Sequence, residues 1–271
     1  MIHSSKSNNV VLPQVGRIFF SLFFGIIIGF GSHAQIGNSF DIGVNVGALS
    51  IQSDYGERGD IRSALTGNIG FTTGLSLYKN FYNRNISWNS RSNWLEEHIK
   101  LRADISYSKT NLHHFGAYVE GNSPAVLSLQ AMSGTSRVIN FGGMVEFHFL
   151  SLSSFSSLYG DHLISPYITL GGTFGLSKAT MSSTLGNYQE NPLILIGAYR
   201  NNAIYTDEIK VGALVFGAGG RLKLNDLTDI VLETKWQSYM SDKIDGLKPR
   251  LDANKYLDWM YSISVGFAYS L

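Results

Sequence analysis

The sequence has no cysteine in 271 residues and few charges, since Lys, Arg, Asp and Glu together make up 15% of the chain. Without cysteine there is no disulfide framework, no thiolate-bound metal and no lipid anchor attached through a cysteine side chain. The formal net charge of +1 argues against a nucleic-acid binder, which carries a basic stripe or patch. The chain is instead rich in glycine, with 29 residues, and in aromatic side chains, with 16 Phe and 14 Tyr.

The N-terminus has the parts of a secretory signal peptide. Lys6 and Arg17 precede a short apolar run, which ends in the small residues of Gly31-Ser32-His33-Ala34. An uncleaved helical anchor is the alternative, but the run is shorter than the ~20 residues that a spanning helix needs. We therefore predict a signal peptide at residues 1–34 and one mature domain at residues 35–271.

No later stretch is apolar for long enough to be a transmembrane helix. The exported chain is then periplasmic, extracellular or a β-barrel, because only helices and closed barrels satisfy the backbone inside lipid. The C-terminal residues favour the barrel, since large apolar residues alternate there with small or polar ones, as in a strand with one face in an apolar medium. The apolar face comprises Tyr261, Ile263, Val265, Phe267, Tyr269 and Leu271.

Seven further segments repeat this alternation, which makes eight strands. Most span roughly 10–14 residues, enough to cross a bilayer at a ~45° tilt, and an even strand number is expected of such barrels. We therefore predict an all-β fold, a transmembrane antiparallel up-and-down β-barrel of about eight strands in the outer membrane. The seven segments are residues 40–50, 68–78, 99–108, 139–149, 167–177, 214–224 and 230–237.

A soluble sandwich or a lipocalin would show the same alternation with the apolar face turned inward. Two features favour the membrane barrel: aromatic residues lie near the predicted strand ends, as interfacial girdles require, and the last strand ends at the chain terminus with an aromatic–apolar pattern. Such an ending resembles the signal read by the barrel-insertion machinery, which we predict as a partner during assembly, together with outer-membrane lipids. The aromatic residues are Tyr78, Tyr107, Phe147, Phe149, Tyr167, Tyr239, Tyr261 and Tyr269.

The opposite strand faces would line the lumen and carry a polar network. Charges of both signs on adjacent strands can pair there, and an eight-stranded barrel is only wide enough for side chains, which favours a plugged core over a conducting pore. Asp41, Asn45 and Lys223 belong to these faces. The predicted network consists of Lys100, Arg102, Asp104, Glu146, His148, Arg221, Glu233 and Lys235.

The topology assigns four loops to the cell exterior, at about residues 51–66, 110–136, 178–208 and 240–258. On the periplasmic side it places the short turn Asn225-Asp226-Leu227-Thr228 and a longer connection that contains Trp88 and Trp94. We predict that the exterior loops, and this long connection, present binding surfaces.

No enzymatic motif is strong, and we predict no enzyme. His148 near Glu146 and the serines of residues 151–157 is the one arrangement that would suit a hydrolase, although the sequence does not say which serine comes close. His113-His114 lacks a carboxylate pair at metal-ligand spacing. Gly217-Ala218-Gly219-Gly220 lies within a strand rather than between a strand and a helix, so it does not predict a nucleotide loop.

Acidic turns follow the first and seventh strands, and these turns converge if the barrel closes. Clustered carboxylates bind divalent cations such as Ca²⁺, although Asp and Gly are also ordinary turn residues. The possible Ca²⁺ ligands at this rim are Asp54, Asp60, Asp242 and Asp245.

The same loops carry a family resemblance. The motifs Asp54-Tyr55-Gly56-Glu57-Arg58-Gly59-Asp60, Leu65-Thr66-Gly67-Asn68, Ser241-Asp242-Lys243-Ile244-Asp245-Gly246-Leu247 and Asn254-Lys255-Tyr256-Leu257-Asp258-Trp259 resemble those of uncharacterised outer-membrane β-barrel proteins of Bacteroidota, over nearly the whole mature chain. The turn before the last strand is also similar to that of the OmpA-like barrel of the type IX secretion apparatus. The resemblance implies location and fold, and it brings no activity with it.

We therefore predict an outer-membrane barrel with a structural or interaction role. The alternatives are an accessory subunit of a secretion or uptake complex, with a protein partner in the envelope, then a lipid-modifying hydrolase, then a narrow channel.

Overall fold

The computed structural model describes residues 39–56, 67–81, 93–156, 162–200, 203–248 and 257–271. The predicted signal peptide, Trp88 and Asp60 lie outside these residues, so the predictions made for them stay predictions.

Eight antiparallel strands close into a barrel in which each strand pairs with the next and β8 pairs with β1, which confirms the predicted fold. The strands form because polar and apolar residues alternate along each of them. Their bounds are β1 Phe40–Gln52, β2 Ile69–Asn80, β3 Ile99–His113, β4 Met132–His148, β5 Ile164–Ser183, β6 Ile209–Asn225, β7 Thr228–Tyr239 and β8 Trp259–Ser270.

We call the barrel end that holds Phe40 and Ser270 the near rim, and the end that holds Gln52 and Trp259 the far rim. Strands β3, β4 and β5 are longer at the far rim than their alternation predicts. Residues 110–113, 132–136 and 178–183 are therefore strand rather than loop, a correction to the predicted loop bounds. The alternation fades there because the outward residues of these extensions are no longer apolar. The short near-rim turn between β6 and β7 lies where it was predicted.

Three short α-helices lie in the described parts of the connections. The first, α1 (Trp94–His98), begins with a capping box in which the Asn93 side chain accepts from the Leu95 amide while Glu96 accepts from the Asn93 amide. The second and third are α2 (Pro124–Gln130) and α3 (Leu152–Phe155). Within the described residues, none of the helices has the length and apolar character needed to cross a membrane.

The burial pattern is inverted relative to a water-soluble barrel. Large apolar side chains cover the outer wall, with Leu170 66% and Leu232 56% exposed, whereas Glu146 and Arg221 inside are 0% exposed. The alternation therefore assigned the inner and outer faces correctly. Three aromatic residues differ from the prediction: Tyr78, Tyr167 and Tyr239 are buried in the lumen and do not belong to an interfacial girdle, because each sits at an inward position of its strand.

Glycine allows the barrel to close. A Cβ at Gly47 of β1 would lie 2.2 Å from the Ile263 carbonyl of β8, and one at Gly266 would lie 2.4 Å from the Val44 carbonyl. Any larger residue would push the two strands apart, so these glycines permit the close approach of β1 and β8.

Candidate functional site in the barrel lumen

The near half of the lumen is filled by a layer of charged side chains. Each comes from an inward position of a strand, and none is more than 6% exposed. Among its described members five cations face five anions, so their formal charges balance. The members are Lys100, Arg102, Lys223, Lys235, Arg221, Asp41, Asp104, Glu146, Asp229 and Glu233.

Glu146 on β4 lies at the centre of this charged layer. Its Oε1 accepts from Arg102 at 2.7 Å, and its Oε2 accepts from Arg221 at 3.3 Å. Arg102 also donates to Glu233 across the barrel at 2.8 Å. The guanidinium carbon of Arg221 lies 4.1 Å from the centroid of the Tyr78 ring, so a cation–π contact supplements the ion pairs. Buried charges are tolerated only when they are paired in this way.

Asp41 ties the strand ends together at the near rim. Its Oδ2 accepts from Lys100 at 2.9 Å and from Arg221 at 3.4 Å. Its Oδ1 accepts from Asn80 and Ser270, both at 2.9 Å. One carboxylate therefore links β1 with β2, β3, β6 and β8.

His148 contacts a serine and a glutamate, as the histidine of a catalytic triad does. Its Nδ1 lies 2.7 Å from Ser165 Oγ, and its Nε2 lies 3.3 Å from Glu146 Oε2. The serine is Ser165 of β5 and is not one of the described serines of the predicted stretch 151–157; Ser151 donates to Glu97 instead, and Ser157 lies outside the described residues. All three side chains are 0% exposed, and the next residue, Pro166, has no amide to stabilise an oxyanion. The three side chains therefore satisfy one another's buried polar groups, and none of them reaches the surface formed by the described residues.

A neutral polar layer lies above the charged one. Tyr239 Oη donates to Gln237 Oε1 at 2.9 Å, and Asn140 Nδ2 donates to Tyr239 Oη at 3.1 Å. Towards the far rim the lumen becomes apolar. The interior thus changes from charged to neutral polar to apolar along the barrel axis.

The far half of the lumen is closed by an apolar plug. Loop residues fold inward and pack against the inner wall. We define the plug by its loop side chains, which are at most 5% exposed: Tyr55, Leu195, Tyr199, Ile244 and Leu247. Their neighbours on the wall are Leu49, Ile51, Leu112, Met132, Val138, Met181, Val211, Ala213, Tyr239 and Met260.

Hydrogen bonds fix the plug to the barrel. Ser136 and Ser177 both donate to the Ile244 carbonyl, at 2.5 and 3.3 Å. Asp245 accepts from the amides of Asp54 at 2.9 Å and Leu247 at 2.8 Å, so the loops after β1 and β7 are joined. Burial raises the pKa of the Asp245 carboxyl to about 6. Gly246 next to it has a φ of 86°, which favours glycine.

His114 packs beneath the plug. Its ring lies 4.7 Å from the Tyr55 ring and 5.6 Å from the Tyr199 ring. Burial, and then the neighbouring His113, lower the pKa of His114 to about 4. It is therefore neutral at physiological pH.

The acidic turns converge as their strand order implies, since the Asp54 amide bonds to Asp245. Asp242 lies in the same loop, while Asp60 is outside the described residues. Among the residues that the structure covers, no group of three or more His, Asp or Glu could hold a metal ion. The Ca²⁺ site stays a prediction.

Sequence reasoning missed several members of the lumen. Asp229 pairs with Lys223 at 2.7 Å, and extending the β7 alternation by one residue would have found it. Tyr78 occupied an inward position but was assigned to a girdle. The bond to Ser165 had no signal in the sequence, because it joins β4 to β5.

The near mouth of the lumen is covered by α3. Its Leu152 and Phe155 are at most 2% exposed, and the Phe155 ring lies 4.6 Å from Lys223 Nζ. With the plug at the far rim and the charged layer in the near half, described side chains occupy both halves of the lumen.

No family model matches the chain, and no curated protein matches it. Solved structures do match. Ail of Yersinia pestis is 12% identical with a TM-score of 0.42, over 87% of this chain and 100% of that one. Neisserial surface protein A is 11% identical with a TM-score of 0.43, over 86% and 99%. A major outer membrane protein from Thermus thermophilus is 10% identical with a TM-score of 0.47, over 87% and 100%. At identities and TM-scores this low, these likenesses assign no function to this chain.

Proposed function

We propose that this chain is an outer-membrane β-barrel protein with a structural or interaction role, in which the filled lumen is a rigid core and the far-rim loops present the binding surface. The observation that carries the proposal is the inverted burial pattern together with a lumen in which described side chains occupy both halves.

The outer wall supports a membrane location. Exposed apolar side chains such as Val44, Leu75, Phe141 and Leu214, each at least 44% exposed, come from strands all around the barrel. Soluble monomers rarely expose contiguous apolar patches of more than a few hundred Å². Lipid is the medium in which such a wall is stable, and a closed barrel leaves no unpaired strand edge within it.

The layered lumen argues against a channel. A pore needs a continuous aqueous path, whereas the charged layer is neutralised by its own pairs and the plug excludes water. We expect purified protein in planar bilayers to show no conductance steps. Discrete steps at physiological salt would contradict the filled-lumen part of the proposal.

An accessory subunit of a secretion or uptake complex is the finer version of the proposal. The turn over residues 241–247 that resembles the type IX secretion barrel has its Ile244 and Leu247 in the plug, at 0% exposure. These residues therefore have a structural role, and a partner would contact the outer surface of the loops.

The test is extraction of the tagged protein from its own outer membranes in a mild detergent, followed by native mass measurement and identification of co-purifying proteins. A reproducible stoichiometric partner would make the chain an accessory subunit. A lone monomer would favour a self-contained barrel. Recovery in the soluble periplasmic fraction would overturn the proposal.

A lipid hydrolase is the second candidate, because His148 lies within hydrogen-bond distance of both Ser165 and Glu146. Their burial favours a structural role. Lipid hydrolysis by the purified wild type that is lost in Ser165→Ala, with the barrel still folded, would establish the enzyme instead.

A further inference from the structure

An apolar groove of about 390 Å³ lies in the outer wall, in its near half. Its floor includes small residues on adjacent strands: Ala103 of β3 pairs with Gly143 of β4, and Gly171 of β5 also lines the groove. A Cβ at Gly143 would meet nothing within 4 Å. The floor is therefore open to the surrounding medium.

Rows of larger side chains flank this floor. On the near-rim side, Leu101 pairs with Val145, which pairs with Leu170. On the far-rim side, Ile105 pairs with Phe141, which pairs with Phe174. The groove lies over β3, β4 and the adjoining part of β5 beside the near-rim row, and Phe40 of β1 and Leu77 of β2 also line it. Its volume lies within the ~300–1,000 Å³ of small-molecule sites.

A lysine borders the groove on its β2 side. Lys79 pairs with Leu101 in the β2–β3 register and lines the groove. Its Nζ lies 5.5 Å from the centroid of the Phe81 ring, and it forms no ion pair with any residue that the structure describes. An apolar groove that is bordered by a cation without a carboxylate partner is complementary to a molecule with an acyl chain and an anionic headgroup.

We propose that this groove binds one diacyl phospholipid with an anionic headgroup, with an acyl chain over Ala103 and Gly143 and its phosphate against Lys79. The proposal rests on the membrane location proposed above. A phospholipid fits better than a second copy of the chain, because an isologous dimer over this groove brings the Lys79 side chains of both copies to one interface.

The experiment is native mass spectrometry of the detergent-purified full chain, titrated with phosphatidylglycerol or with phosphatidylcholine of the same chain length. Wild type should hold one phosphatidylglycerol more tightly than phosphatidylcholine. Gly143→Leu fills the floor of the groove, and displacing two buried CH₂ groups corresponds to about tenfold weaker binding. Ala103→Leu fills the same floor and serves if Gly143→Leu does not fold. Lys79→Gln should keep lipid binding and lose the preference for the anionic headgroup.

The matched control is Gly220→Leu on β6, which also places a leucine where a Cβ meets nothing within 4 Å, but outside the groove. It should bind phosphatidylglycerol as wild type does. Equal retention in Gly143→Leu and Gly220→Leu would overturn the lipid site. A wild-type dimer that Gly143→Leu converts to monomer would assign the groove to a second copy. Both the lipid-binding and the dimer outcome require protein purified from membranes. If the proposed membrane location is wrong, cell fractionation shows it before this experiment begins.

Discussion

At the scale of single residues, the lumen depends on a few side chains that each satisfy several partners. Glu146 holds two arginines and one histidine, and Asp41 holds Lys100 and Arg221. The effective penalty for a buried unpaired ion is several kcal/mol. Removing one such anion should therefore cost more than the pair itself contributes.

Glu146→Gln keeps the shape of the side chain and removes its charge. Arg102 keeps Glu233 and Arg221 keeps Asp41, but the charged layer is then left with one uncompensated buried positive charge, so we expect the free energy of unfolding to fall by about 3–5 kcal/mol. The measurement is reversible urea unfolding in detergent micelles. Glu208→Gln makes the same chemical change on an exposed loop residue and should change stability by less than about 0.5 kcal/mol. Equal effects of the two variants would show that the charged layer is not energetically coupled.

Two groups of the plug region titrate in opposite directions. The pKa of Asp245 is raised from 3.8 to about 6, so between these values the folded state binds more protons and stability falls as pH rises. The pKa of His114 is lowered from 6.5 to about 4, so there the unfolded state binds more protons and stability increases with pH. Each contributes about 3 kcal/mol over its window, and in wild type the two largely cancel.

We therefore expect the variants to separate the two effects. In the presence of EDTA, the free energy of unfolding of His114→Gln should fall by about 3 kcal/mol as the pH rises from 4 to 6, relative to wild type. That of Asp245→Asn should increase by a similar amount as the pH rises from 4 to 6.5. Urea midpoints across this pH range give the measurement. If wild type and both variants show the same dependence of stability on pH, the assignment of the two effects to Asp245 and His114 is wrong. A Ca²⁺-dependent rise in wild-type stability at pH 7, absent from Asp245→Asn, would support the predicted cation site.

At the scale of elements, the strands and the plug have different origins. Each strand follows from its own alternation, whereas the plug needs loops from three parts of the chain. Ile204 and Leu247 form an isolated antiparallel bridge between two of these loops, and the Lys248 amide donates to the Ala203 carbonyl at 2.8 Å. The far-rim loops are therefore organised by contact with one another.

Leu247→Ala should loosen the plug without opening the barrel. Leu247 is 0% exposed, and Leu→Ala at such a site costs about 2–5 kcal/mol. We expect faster protease cleavage of the far-rim loops, while the heat-dependent gel shift of the folded barrel is retained. Leu193→Ala is the control, since Leu193 is 71% exposed, and its cleavage rate should match wild type. Loss of the folded gel band in Leu247→Ala would show that the plug is part of the barrel's folding unit.

At the scale of the whole molecule, the inverted burial pattern is the observation from which we inferred a lipid medium around the barrel. Lipid makes the cost of an outward charge depend on its depth, whereas in water an outward charge costs little at any height. Depth dependence is therefore a direct test of the membrane location.

Leu232→Arg places a charge outward near the middle of β7, and Leu224→Arg places one outward near the end of β6; these leucines are 56% and 52% exposed. We expect Leu232→Arg to lose about 2–4 kcal/mol and Leu224→Arg about 0–1 kcal/mol when folding into lipid vesicles. Equal and small costs at both positions would contradict a lipid-facing wall.

The sequence by itself determined the strand number, the order of the strands and the face that each presents. These properties are local, because polar and apolar residues alternate along each strand wherever one face meets an apolar medium and the other meets a polar interior. It also placed every predicted lumen charge on the inner face, since a charge is costly on the outer one.

Only the tertiary structure decided which groups meet. The Asp54–Asp245 bond joins residues 191 positions apart, and the Arg102–Glu233 pair joins residues 131 positions apart. The alternation of polar and apolar residues does not predict such a contact, because the contact depends on how the barrel closes and on how far each loop reaches inward. For the same reason the plug, the Ser165 partner of His148 and the groove over Gly143 belong to the folded barrel, in which distant strands lie side by side.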